Sequence, residues 1–140
     1  MQRLELTRFN CCERRPRPKL LVIDDARPMR ALVRLVLTSA GDADVIEASS
    51  GEEGLAMAQR ELPDAILLDV LMPGLDGPAT LRRMQSCPAT AAIPVFFLTA
   101  DTSKDAVRRL LDAGGSGVLP KPFVPQELLA QIRGLVAKAA

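Results

Sequence analysis

Ala65-Ile66-Leu67-Leu68-Asp69-Val70-Leu71-Met72-Pro73-Gly74-Leu75-Asp76-Gly77-Pro78 is the stretch on which the fold turns. Its first residues are apolar without alternation, too few for a helix, and end on a carboxylate. Ala65–Asp69 is therefore expected to be a strand buried on both faces. The Pro- and Gly-rich turn from Met72 to Gly77 breaks the chain, and Pro78 opens a helix expected to run to about Ser86. Asp76, beside Gly77, is a turn and cap residue on this reading.

The same alternation extends in both directions. Upstream, Lys19-Leu20-Leu21-Val22-Ile23 is a second buried strand, ending at Asp24-Asp25. Pro28 opens a helix with Met29, Leu32, Val33, Val36 and Ala40 on one face, stopped by Gly41. Asp44 to Ala48 reads as a strand, and Ser50-Gly51-Glu52-Glu53 as a capping box starting a helix to about Leu62. Downstream, Pro94-Val95-Phe96-Phe97-Leu98-Thr99 is the fourth strand. Thr102-Ser103-Lys104-Asp105 caps a helix ending at Gly114-Gly115, Gly117-Val118-Leu119 is a brief fifth strand, and Pro125 opens the last helix. Five strands alternating with five helices imply crossover units, a parallel sheet and helices on both faces.

Composition narrows the possible functions. The chain has 140 residues, enough for one domain with one core; 48% hydrophobic and 25% charged residues are a soluble balance. No apolar run reaches the roughly 18–20 residues of a membrane span. Met1 to Phe9 lack a secretion signal's apolar segment, so a cytoplasmic location is expected. Net charge is +1, too small to indicate nucleic acid, and direct DNA binding is not expected. Residues 1–18 concentrate Arg3, Arg8, Arg14, Arg15 and Arg17 against Glu5 and Glu13, and are expected to form a basic, disordered tail before a domain over 19–140. Histidine is absent, and Cys11, Cys12 and Cys87 have no metal-ligand spacing. This leaves no His/Cys zinc site and no Cys/His or Ser/His catalytic pair.

In such a sheet the crevice lies beyond the carboxyl ends of the strands. Asp24, Asp25, Asp69, Thr99 and Lys121 fall there. Three carboxylates at one edge repel each other unless a positive charge joins them, and a hard cation such as Mg²⁺ suits their oxygens. Lys121 adds a fixed positive charge and Thr99 a hydroxyl. Taken together, these groups describe an anion site centred on Asp69. Singly, Asp24 and Asp25 would read as cap and turn residues, Thr99 as a strand end and Lys121 as a surface lysine; only the joint arrangement argues otherwise.

These residues resemble the receiver domain of bacterial two-component response regulators. The resemblance covers Lys19 to the C-terminus and rests on Leu-Val-Ile-Asp-Asp, Leu-Leu-Asp-Val-Leu-Met-Pro-Gly-Leu-Asp-Gly, Phe-Leu-Thr-Ala and Lys-Pro-Phe, in order at the strand ends. It implies a flavodoxin-like sheet of order 2-1-3-4-5 and a signalling switch rather than an enzyme acting on other molecules. Asp69 would accept the phosphoryl group, with Lys121 and Thr99 engaging its oxygens. Mg²⁺ would be held by Asp25, Asp69 and the carbonyl of Leu71, with Asp24 acting largely through water. The Lys121–Pro122 bond would be cis. The implied partners are a histidine kinase or histidine phosphotransfer protein and a downstream protein target, with the chain a monomer or weak dimer. Having no histidine, this chain would take phosphate from a separate donor.

Two departures stand out. The family usually carries Tyr or Phe three residues before the lysine, where this chain has Val118, so the aromatic half of the usual relay is missing. Val124 stands before Pro125, where a capping Asp is common. With no output domain after Ala140, a stand-alone receiver acting by docking is expected, an excised piece of a longer regulator being the other reading. A degenerate receiver that binds partners independently of phosphorylation also stays open. A haloacid-dehalogenase-type phosphatase is disfavoured by Leu71, where those enzymes carry a second Asp. A flavodoxin-like cofactor binder is disfavoured by the acidic, glycine-free turn after the first strand.

Overall fold

The five short strands pair side by side into one parallel sheet of order β2-β1-β3-β4-β5. The computed structural model describes residues 17–41, 43–122 and 125–139. The strands are β1 (Lys19–Ile23), β2 (Asp44–Ala48), β3 (Ala65–Asp69), β4 (Val95–Thr99) and β5 (Gly117–Pro120). Between and after them lie α1 (Arg27–Ser39), α2 (Gly51–Glu61), α3 (Gly77–Gln85), α4 (Lys104–Asp112) and α5 (Pro125–Ala139). This is the flavodoxin-like arrangement expected.

Side chains alternate across the pleat and divide the core in two. Leu20, Val22, Leu67, Phe96 and Leu98 pack with Val33 and Leu37 of α1 and with Leu128 and Ile132 of α5. Leu21, Ile23, Ile66, Leu68 and Phe97 pack with Ala58 of α2, Leu81 and Met84 of α3, and Leu110 of α4. β1 and β3 are neighbours in register, Leu20 against Ala65 and Ile23 against Leu68. The chain leaves β1 towards β2 and returns to β3 on the other side, so a crevice opens where their carboxyl ends part.

Some local expectations shift. The inward face of α1 ends on Leu37, not Ala40: α1 stops at Ser39, Ala40 is its exposed C-cap, and Gly41 turns away at φ +74°. Ser50 caps α2 by accepting the N–H of Glu53 at 3.1 Å, yet the Glu53 carboxylate reaches back to the N–H and hydroxyl of Ser49 (2.6 and 2.8 Å), not to Ser50. Asp76 and Ser103 cap α3 and α4, accepting from Ala79 at 2.9 Å and Ala106 at 3.3 Å. Pro18 and Arg17 already attach to β2: the N–H of Asp44 donates to the Pro18 carbonyl at 2.9 Å, and Arg17 pairs with Asp44 at 3.0 Å. The expected basic tail through Pro16, with Cys11 and Cys12, and the missing cap at Val124 lie outside the described residues. Among those residues no helix is long and apolar enough to cross a membrane.

Candidate functional site

β1, β3, β4 and β5 deliver their last residues to one edge of the sheet. Asp24 follows β1, Asp69 ends β3, Thr99 ends β4 and Lys121 follows β5. Asp24 is fully buried and held from three directions. Its N–H donates to the Ala48 carbonyl (3.2 Å), its Oδ1 accepts from the N–H of Ala26 (2.9 Å), and its carbonyl accepts from the Arg30 guanidinium (2.8 Å). Its Oδ2 has no hydrogen bond of good geometry, although the Lys121 ammonium pairs with it at 3.1 Å. The same ammonium donates to Asp69 Oδ1 at 3.0 Å. Carboxylate oxygens of Asp24, Asp25 and Asp69 all lie within 4.8 Å of one another, with Asp25 on the exposed side.

One lysine against three carboxylates leaves the cluster short of positive charge. Burial pushes the Asp69 carboxyl above the usual carboxylate range; Asp24 pushes it further, and the bond from Lys121 only partly opposes them. Burial alone would lower the Lys121 ammonium, but its bonds to Asp69 and Asp24 outweigh that and hold it above the ordinary lysine value. The backbone N–H of Lys121 donates to the Thr99 carbonyl at 2.9 Å, and the Lys121–Pro122 peptide is cis.

Asp24, Asp25, Asp69 and Lys121 gather at one edge, and the structure adds how they are held. Thr99 is buried at the end of β4, and its hydroxyl accepts the N–H of Asp101 at 3.0 Å and so serves its own loop. Leu71 lies two residues past Asp69 and is 80% exposed. Arg30 was not singled out in the sequence; nothing in its spacing says that it turns back to grip the Asp24 carbonyl. In the sequence Gly77 reads only as a turn residue beside Asp76; the structure adds a second demand on it. A β-carbon there would stand 2.6 Å from the Asp69 carbonyl oxygen and 2.9 Å from Val70 Cα, so only glycine lets α3 start this close to the end of β3. Val118 is half-buried on β5, in register with Phe97.

The donor set fits a divalent cation. Its oxygens are carboxylates, a hard-cation preference, and Asp24 Oδ2 is buried without a hydrogen-bonding partner. The doubly wound sheet, with an acidic cluster and a lysine at the carboxyl ends of its strands, is the flavodoxin-like arrangement of small signalling domains. The sequence matches the response regulator receiver domain over residues 20–133, and the chain belongs to that family.

Its relatives include response regulator MprA of Mycobacterium leprae, 41% identical over 86% of this chain and 51% of MprA. Response regulator PleD of Caulobacter vibrioides is 40% identical over 84% of this chain and 26% of PleD. The chain thus spans about half of MprA's length and a quarter of PleD's. Among solved structures, chemotaxis protein CheY4 of Vibrio cholerae superposes with a TM-score of 0.79 at 32% identity, covering 85% of this chain and 98% of that one. A putative response regulator from Chloroflexus aurantiacus does so with 0.79 at 38% identity, covering 86% and 98%. Receiver domains are signalling domains of two-component systems, working with histidine kinases and downstream targets and binding Mg²⁺ at an acidic pocket.

Proposed function

We propose that this domain is a phosphorylation switch in which Asp69 accepts a phosphoryl group from a phosphohistidine on a partner protein. The observation that carries this reading is Lys121, whose ammonium lies 3.0 Å from Asp69 and 3.1 Å from Asp24 at the one edge where three carboxylates meet. An Asp69 oxygen attacks phosphorus in line, the P–N bond to the donor imidazole breaks, and its electron pair leaves with that nitrogen. Lys121 is placed to follow the charge onto the phosphoryl oxygens. Thr99, released from the Asp101 N–H, has a hydroxyl to offer one of them. A Mg²⁺ ion held by Asp25, Asp69 and the carbonyl of Leu71, with Asp24 acting largely through water, would neutralise charge on those oxygens. Water later attacks phosphorus, freeing the carboxylate and inorganic phosphate and resetting the switch. None of these 140 residues is a histidine, so the donor imidazole lies outside them. It works by docking to a downstream protein in the cytoplasm, as a monomer or weak dimer, without contacting DNA itself.

Val118 favours a second reading, a receiver that binds partners irrespective of phosphorylation. Incubation with acetyl phosphate and Mg²⁺, followed by intact mass, separates the two. The switch requires one phosphoryl adduct on the wild type and none on Asp69→Asn. A wild type that stays unmodified, and whose amide spectrum beryllofluoride leaves unchanged, supports the second reading.

A further inference from the structure

The region between the acceptor strand and Val118 is spanned by one large ring. Phe97 is fully buried on β4, in register with Val118 on β5 and two residues before Thr99. Residues two apart in a strand share a face, so Phe97 and Thr99 lie under the same helices. A glycine stands at each edge of the Phe97 ring. A β-carbon on Gly77 would come within 3.2 Å of Cε1, and one on Gly115 within 2.8 Å of both Cδ2 and Cε2. These atoms are on opposite edges, so the ring bridges the start of α3 and the α4–β5 turn. Behind Gly77 lie the Asp69 carbonyl and Val70 Cα, as described above. Glycine, ring and glycine thus form an unbroken line of packing from the acceptor strand to the turn that precedes Val118. Protein interiors are close-packed and transmit displacement rather than absorb it.

We propose that Phe97 is a positioning residue that sets the Asp69–Val70 strand end against the Gly115 turn, supplying by fixed packing the aromatic link that Val118 cannot. The packing link stands by itself; its consequence for phosphoryl transfer rests on the reading of Asp69 as acceptor. Phosphorylation that moves the start of α3 is felt at Gly115 through the ring, and a partner that presses on the α4–β5 turn is felt at Asp69.

Gly115→Ala tests this, because Gly115 has no positive φ and the added methyl meets the ring directly. The amide resonances of Val70 and Gly77 are expected to move while those of β2 stay, and phosphorylation by acetyl phosphate to slow roughly tenfold. Phe97→Met puts a flexible side chain of similar volume behind that methyl. The double variant should therefore match Phe97→Met alone in both readouts, a non-additive cycle. Unmoved Val70 and Gly77 resonances in folded Gly115→Ala, or effects that simply add, overturn the proposal. If Gly115→Ala does not fold, Phe97→Met decides alone. Gly77 and Gly115 donate backbone hydrogen bonds to Val70 and Leu110, both at 3.0 Å. Faster amide exchange at both glycines supports the link; a change at one or neither overturns it. A wild type that takes no phosphoryl group would sink the acceptor reading, and the amide result would then decide the packing link separately.

Discussion

Two ion clusters near the ends of β1 and β2 have inverse stoichiometry. At Glu47 on β2 one carboxylate is shared by two guanidiniums, Arg30 at 3.0 Å and Arg34 in a shorter contact. At Lys121 one ammonium is shared by Asp24 and Asp69, with Asp25 close by. The carboxyl groups respond in opposite directions. The hydrogen bond from Arg34, joined by that from Arg30, holds Glu47 below the usual carboxylate range, whereas burial and Asp24 hold Asp69 above it. The first cluster satisfies its charges at a partly exposed surface and contributes to stability. The second keeps more negative charge than it can neutralise, a cost that a bound cation would relieve. Arg30 touches both, since it also holds the Asp24 carbonyl.

The largest break in this comparison should come from Lys121→Met. It leaves two buried carboxylates without a cation, and in metal-free buffer at pH 7 should cost about 3 kcal/mol of unfolding free energy in a urea titration. Acidification or added Mg²⁺ should recover much of that loss; a loss insensitive to both would show that the cluster is not limited by charge.

Asp69→Asn should act the other way, raising stability by about 1 kcal/mol at neutral pH without metal. The sign follows from its raised folded value. The charged form is disfavoured in the native state, so the penalty is fully present above that raised value. It disappears as pH falls below the unfolded carboxylate value. Urea midpoints of wild type and variant should therefore converge towards acid. A variant less stable than wild type at pH 7 would contradict the account.

Glu47→Gln should be destabilising by roughly 0.5–1 kcal/mol. Because Glu47 is depressed in the fold, its contribution is present above the unfolded value and lost as pH falls through the folded one. Its wild-type advantage should thus vanish at acid pH, while that of Asp69→Asn vanishes for the opposite reason. The smallest effect belongs to Arg34→Ala, at a half-exposed partner: a few tenths of a kcal/mol, reduced further by salt. A salt-independent loss of several times that size would mean Arg34 acts through packing.

Much of this was legible before the fold was known. β1, β2 and β3 have the bounds read from the sequence; for β1 and β3 burial on both faces demands continuous apolar residues, and the flanking turns mark the ends. Errors came where an element's end depends on its surroundings. α1 turned Leu37 inward because the chain leaves the helix before Ala40, and Glu53 chose Ser49 because side-chain reach, not spacing, selects the donor. The placement of the candidate residues was legible for a topological reason: a parallel sheet brings strand ends to one edge, so a carboxylate or hydroxyl at a strand end is placed without knowing any distance.

What the sequence by itself determined was the class of fold, the two-sided core, and the placing of Asp24, Asp25, Asp69, Thr99 and Lys121 at one edge of the sheet. Those follow from periodicity and from chain direction, which are local properties. Only the tertiary structure decided that Asp24 rather than Asp25 is the buried carboxylate, that one ammonium bridges Asp24 and Asp69, and that Arg30 turns back to the β1 end. It alone placed the Phe97 ring between Gly77 and Gly115. These depend on side chains far apart in sequence reaching one point, where burial and Coulomb energy are set by distances of a few tenths of an ångström that no pattern of residue types encodes.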